Sequence, residues 1–162
     1  MTVLIRLSLS IMKPLPFIIT LVLFPLSSLS YGASSRATET VVATLILEAG
    51  GERDARAMGA VLEVIQNRAD KGKAKGATLE SVCLQRLQFS CWNGISVEEG
   101  IAKAKRHTKW TRAVQLVTSL VRTNYTNGAT HYHASYMSPF PKWARSGQLT
   151  RTTRIGLHIF YK

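Results

Sequence analysis

The apolar residues of this chain change their spacing once along its length. Up to Val121 they recur every three or four residues; from Ile155 to the end they alternate. The first spacing lines one face of an α-helix and the second lines one face of a strand. Val41, Val42, Leu45, Ile46 and Ala49 predict a helix over 38–49, stopped by Gly50-Gly51. Asp54 is the expected N-cap of a second helix, in which Met58, Val61, Leu62, Ile65 and Ala69 share a face. A short helix is expected near 78–84. Ser96 and Glu99 form a capping-box pattern for a helix running to about residue 105. Trp110, Ala113, Val114, Val117, Leu120 and Val121 mark one more. Lys71–Gly76 reads as a basic, flexible loop and 88–94 as a structured one. Residues 124–141 are loop-rich, with Asn127-Gly128 as a turn signal. Ile155, Leu157, Ile159 and Tyr161 read as a single strand, with Ala129–His133 as its partner. The expected fold class is therefore α+β, mostly helical with a small C-terminal β-sheet.

Residues 1–33 stand apart. Arg6 and Lys13 are the only charges before Arg36, and the apolar run from Leu15 to Leu26 is broken by prolines. Ser27, Ser28, Ser30, Gly32 and Ala33 follow. A basic start, a short apolar core and a small-residue exit predict a secretory signal peptide over 1–33, cleaved near Gly32 or Ala33. The core is shorter than the ~20 residues of a spanning helix; the alternative is a retained, proline-kinked anchor. The expected second unit is a catalytic domain over 34–162, about 130 residues and enough to bury a core. The expected location is periplasmic, secreted or in the cell wall. In that oxidising space Cys83 and Cys91 are close enough in sequence to pair, a matter that geometry decides.

Composition removes several classes. With 46% hydrophobic residues the chain is not disordered throughout. Two cysteines are too few for a disulfide-stapled scaffold or a four-cysteine zinc site. No G-x-S-x-G elbow, Walker loop or dinucleotide fingerprint is present. The net charge is +12, and +10 without Arg6 and Lys13. In a cytosolic chain that excess would point to nucleic acid; export turns the expectation to anions of the cell wall or outer leaflet, with an attraction that salt weakens.

Among nine acids, Glu48 stands out. It follows Ala43-Thr-Leu-Ile-Leu47 and ends a helix, where the dipole opposes negative charge. Desolvation and the dipole both favour its neutral form, the form a general acid needs. The alternative is a helix-end carboxylate turned to solvent. Glu52, across the two glycines, reads either as a residue that holds a loop or a substrate amide, or as a surface acid. Glu63 reads as a buried structural group partnered by Asn67 or Arg68. His131 and His133 put two imidazoles on one side of a strand, a spacing that suits cleft hydrogen bonds or, with Glu48, Glu52 or His158, zinc. Cys91 beside a histidine is a possible thiol nucleophile, against a buried or paired cysteine.

Taken in order, Glu48-Ala-Gly-Gly-Glu52, Ala60-Val-Leu-Glu-Val-Ile-Gln-Asn-Arg68, Gln88-Phe-Ser-Cys-Trp92, Gly128-Ala-Thr-His-Tyr132, Trp143 and Arg154-Ile-Gly-Leu-His-Ile-Phe160 resemble the SleB/CwlJ cell wall hydrolases. The resemblance spans roughly residues 40–162. It implies a compact, lysozyme-like domain that cleaves peptidoglycan glycan strands between N-acetylmuramic acid and N-acetylglucosamine, as a lytic transglycosylase. It places the catalytic acid on Glu48, where the residue chemistry also put it. Glu52, Phe89, Ser90, Trp92, His131, Tyr132, His133 and Trp143 are the expected substrate-binding residues. Aromatic faces would stack on sugar rings while polar groups orient N-acetyl groups, with core packing the alternative for Phe89 and Trp143. No convincing second carboxylate stands opposite Glu48, as a hydrolysing glycosidase usually requires. Two positions depart from the family pattern: Gly50 where arginine is frequent, and Leu157 where asparagine is. The expected partner is the peptidoglycan glycan strand, with no nucleic acid, no metal or other cofactor, membrane contact only through the signal segment, and a monomeric state. The alternatives are a zinc-dependent wall amidase built on His131 and His133, and a non-catalytic wall-binding module.

Overall fold

The structure is a computed structural model that describes residues 35–71, 77–119 and 122–162. The expected signal peptide over 1–33, most of the basic loop 71–76, and Leu120 and Val121 lie outside the described residues.

Helix α1 (Arg36–Ala49) is the hub. Ser35 caps it by accepting from the Thr38 N–H, and Glu39 occupies its first turn, where the dipole favours an acid. Its buried residues run from Thr40 to Ile46 without interruption, so it is covered on all sides rather than along one stripe. Helices α2 (Ala57–Lys71), α3 (Leu79–Leu84), α4 (Val97–Lys105) and α5 (Trp110–Thr118) all pack on it. Its two buried threonines stay satisfied by bonding back along the helix. Thr40 Oγ1 donates to Arg36 O and Thr44 Oγ1 to Thr40 O, each at 2.9 Å. The helix ends at Gly50, which is right-handed (φ −62°) and so needs no glycine for its backbone angles. The position needs glycine for space instead: a Cβ would stand 2.5 Å from Ile46 O and 3.2 Å from His107 Nε2.

The second helix begins later than Asp54 suggested. Asp54 Oδ1 accepts the Arg56 N–H at 2.9 Å and its backbone oxygen accepts from Ala57, which makes a turn leading into α2. The capping box of α4 forms as expected, with Ser96 and Glu99 each bonding the other's backbone. A 3₁₀ turn, Ser90–Trp92, fills the structured loop.

The terminal segment is not one strand. Strands β2 (Arg151–Ile155) and β3 (His158–Tyr161) form a hairpin closed at Gly156-Leu157, and β1 (His131–Ala134) pairs on the other side of β3. The sheet is antiparallel in the order β1-β3-β2. A short helix α6 (Lys142–Arg145) lies between β1 and β2. Alternation continued through the turn because Leu157 sits at the right spacing, yet it is an exposed turn residue. All four residues of β3 are buried. Ile155 and Phe160 join the helical core, while Tyr161 faces the other way, towards His133 and Trp143.

Glu63 is buried, as expected, but its partners differ from Asn67 and Arg68. Its carboxylate accepts from the Thr123 hydroxyl, the Tyr125 and Thr126 N–H groups and the Thr126 hydroxyl. Asn67 Nδ2 donates to Ala129 O at 2.9 Å and Arg68 Nε to Thr130 O at 2.6 Å. Three side chains of α2 thus hold the chain as it enters β1.

Candidate active site

Glu48 occupies the last turn of α1, half-buried, at the floor of a cavity of about 730 Å³. Both of its oxygens are engaged. Oε1 accepts the Cys91 backbone N–H at 3.1 Å, and Oε2 accepts the Tyr132 hydroxyl at 2.8 Å. The 3₁₀ turn supplies the first donor and β1 the second. Strand alternation explains the second: in His131-Tyr132-His133 the two imidazoles share one face and Tyr132 takes the other, against His158 and Phe160. Burial, reinforced by the Glu48 charge, pushes the Tyr132 phenol well above its ordinary range, so it stays a donor. Glu48 is the only carboxylate among the described residues that line the cavity.

Glu52 is elsewhere. Its carboxylate accepts the Leu157 N–H at 3.1 Å and lies 3.5 Å from His158 Nδ1, while its backbone oxygen accepts from Lys109 Nζ at 2.6 Å. It therefore holds the β2–β3 turn. Gly156 is required there. Its φ is +54°, and a Cβ would stand 2.5 Å from Glu52 Oε2. His158 in turn lines the cavity. Burial holds its imidazole below the ordinary range, opposed by the Glu52 and Glu48 charges.

The family profile described as Cell Wall Hydrolase matches residues 52–161, a span that begins after Glu48.

The chain belongs to the cell wall hydrolase family.

Two solved structures share the fold. One is the catalytic domain of the germination-specific lytic transglycosylase SleB from Bacillus anthracis, at 22% identity and a TM-score of 0.60, covering 82% of this chain and 98% of that one. The other is the catalytic domain of the Bacillus cereus SleB protein, at 22% identity and a TM-score of 0.54, covering 82% and 94%. Comparison with curated proteins found no match. Membership implies a peptidoglycan substrate and action outside the cytoplasm.

For a cell wall hydrolase of this fold, the structure brings six of the nine expected site residues to one cavity. Ser90, His131, Tyr132, His133 and Trp143 line it with Glu48. Trp143 packs 5.2 Å from the His131 ring and 5.7 Å from the His133 ring. Glu52, Phe89 and Trp92 do not line it. Phe89 is buried in the core beneath the Arg68 guanidinium, 5.0 Å from its ring centre. Trp92 Nε1 donates to Thr44 Oγ1 at 3.1 Å, and its ring fills the space left by Gly100, where a Cβ would stand 2.3 Å away. Within Gln88–Trp92 these two aromatics, three residues apart, turn inward, while Gln88, Ser90 and Cys91 line the cavity.

The zinc alternative finds no ligand set. His133 spends Nδ1 on Ala134 O and Nε2 on the Tyr161 hydroxyl, and His131 Nδ1 meets Thr130 Oγ1. Among the described residues no three His, Cys, Asp or Glu side chains converge. The thiol alternative is no better placed. Cys83 and Cys91 are both free. Burial pushes the Cys83 thiol up to about 12, and burial together with the Glu48 charge raises Cys91 as well, so neither offers a thiolate nucleophile.

Sequence reasoning missed Arg68, Gln88, Tyr136 and Met137 as cavity residues. Arg68 carried one signal, a cation closing an otherwise apolar helical stripe. Tyr136 and Met137 follow β1 in a loop and carried none.

Proposed function

We propose that this protein cleaves the glycan strand of peptidoglycan between N-acetylmuramic acid and N-acetylglucosamine as a lytic transglycosylase, with Glu48 as its single acid and base. The observation that carries this reading is the cavity's lone carboxylate, held by two donors. In the first step protonated Glu48 gives its proton to the glycosidic oxygen as the bond to the muramic anomeric carbon breaks. The Tyr132 hydroxyl and the Cys91 N–H then stabilise the carboxylate that forms. In the second step the muramic C6 hydroxyl attacks the anomeric carbon and its proton returns to Glu48. The product is a 1,6-anhydro sugar, and the enzyme regains its starting state without a water nucleophile. A hydrolytic route needs a second carboxylate, as nucleophile or as base for water, and the cavity lining offers none among the described residues. The reaction named for the Bacillus anthracis relative is of the same class. Residues 1–33 serve as an export signal in this reading, and N-terminal sequencing of the protein recovered from the periplasm or medium tests it.

The deciding experiment is mass spectrometry of purified sacculi digested by the protein and by Glu48→Gln. Muropeptides one water lighter than their reducing forms are expected from the first, and a loss of at least about 100-fold in their rate from the second. Reducing sugar ends would show hydrolysis instead. Freed peptides on intact glycan would move the chemistry away from Glu48, and a folded, fully active Glu48→Gln would end the proposal.

A further inference from the structure

Arg68 is the half-buried cation of the cleft. It stands near the C-terminal end of α2, where Nε donates to Thr130 O and the guanidinium lies over the Phe89 ring. Those contacts fix the plane of the group but use one of its five N–H donors. Nη1 is buried with no partner, one of three such side-chain atoms among the described residues. His158 Nδ1, also on a cavity residue, makes no hydrogen bond either, although the Glu52 carboxylate lies 3.5 Å away. No carboxylate among the described residues forms an ion pair with Arg68. Buried donors are nearly always partnered, and an uncompensated buried charge is destabilising. Burial lowers the Arg68 pKa, opposed by Tyr132, Cys83 and Glu48, which places those groups within its field. Arg68 lines the cavity, and a guanidinium whose terminal N–H groups have no protein acceptor suits a carbonyl or carboxylate oxygen.

We propose that Arg68 binds an acyl oxygen of the sugar held at Glu48 and so selects which glycan the cleft accepts. The oxygen comes from one of two sources: the 2-acetamido carbonyl carried by every ring, or the lactyl acyl group carried by muramic acid alone, which is a carboxylate on strands without stem peptides. The position supports a ring at the scissile bond, because Arg68, Tyr132 and Glu48 line the same cavity. The inference rests on the peptidoglycan reading above and adds the group that reads the substrate. The helical face of α2 that staples β1 through Glu63 and Asn67 ends in this residue, so the same helix that sets the sheet presents the anchor.

The test is calorimetric binding by the full-length protein carrying Glu48→Gln, which prevents turnover, with and without Arg68→Gln. Three probes are used: peptide-free glycan strands, a chitooligosaccharide with acetamido but no lactyl groups, and de-N-acetylated strands with lactyl groups only. Arg68→Gln is expected to weaken binding to the intact strands about 10- to 100-fold. A loss kept on the chitooligosaccharide and absent on de-N-acetylated strands assigns the acetamido carbonyl. The reverse pattern, or a chitooligosaccharide that never binds, assigns the lactyl carboxylate. An equal loss on every probe the protein binds, or no loss on the strands, overturns the proposal, since a merely structural arginine does not distinguish ligands. Should Arg68→Gln fail to fold, Arg68→Lys keeps the charge without the fork and carries the same comparison. If Glu48→Gln alone binds no probe and the unmodified protein releases no glycan product, the peptidoglycan reading falls and this proposal with it.

Discussion

Glu48 is held by two donors that arrive from different parts of the fold. The Cys91 N–H belongs to a 3₁₀ turn and the Tyr132 hydroxyl to an edge strand. Only proline removes a backbone donor, and it constrains the turn as well; the hydroxyl can be removed alone. Tyr132→Phe keeps the ring packing against His158 and Phe160 and deletes one charge-assisted bond. Turnover of sacculi is expected to fall about 10- to 100-fold with little change in melting temperature. An active Tyr132→Phe would mean that Oε2 needs no donor in the rate-limiting step. The same scale explains why Leu157 does not disturb the turn where the family often has asparagine. Its N–H goes to Glu52 and its carbonyl to Ser135, so the main chain makes both bonds whatever the side chain.

At the scale of elements, two carboxylates act as clasps rather than as catalysts. Glu63 gathers the 123–126 loop onto α2, and Glu52 gathers the β2–β3 turn onto the end of α1. Glu63→Ala leaves several buried donors without an acceptor. It should cost about 2–4 kcal/mol in denaturant unfolding, with hydrogen exchange accelerated first in residues 123–130. Gly156→Ala sets a methyl against the Glu52 carboxylate at a left-handed position. A loss of about 1–3 kcal/mol is expected, and an unchanged melting temperature would show that the turn gives way without resistance. Activity should follow stability in both variants, because each clasp positions a strand that faces the cavity.

The whole molecule carries two histidines whose burial holds them below the usual imidazole range. For His158 burial is opposed by Glu52 and Glu48 and aided by His133; for His131 it is aided by Arg68. The unfolded chain therefore takes up these protons first as pH falls from about 6.5. Stability is full above that value and declines below it, until the folded protein is protonated as well. Melting curves between about pH 7.5 and about pH 5 should show this decline, and His158→Gln should make it shallower. An equal slope in the variant would assign the acid sensitivity to other groups.

The helical half of the fold was legible from residues 38 to 118 because amphipathic spacing, caps and glycine stops are local properties. Glu48 was legible for the same reason: an acid at the end of an apolar helix is unusual whatever packs on it. The sheet was half legible. Ala129–His133 was identified as the partner strand, but alternation could not reveal that Gly156-Leu157 breaks the terminal segment into a hairpin. Which aromatic faces the cleft was half legible: Tyr132 and Trp143 line it as expected. Phe89 and Trp92 turn into the helical layer while Tyr132 turns to Glu48, and side-chain direction in a loop depends on what it meets. The sequence by itself determined the helices and the place of Glu48 at the end of the first, since each follows from neighbours within a few residues. Only the tertiary structure decided the donors on Glu48, the clasp roles of Glu52 and Glu63 and the unpaired fork of Arg68. The carboxylate contacts join groups 43 to 105 residues apart, and Arg68 meets Thr130 62 residues further on; no local pattern records such a meeting.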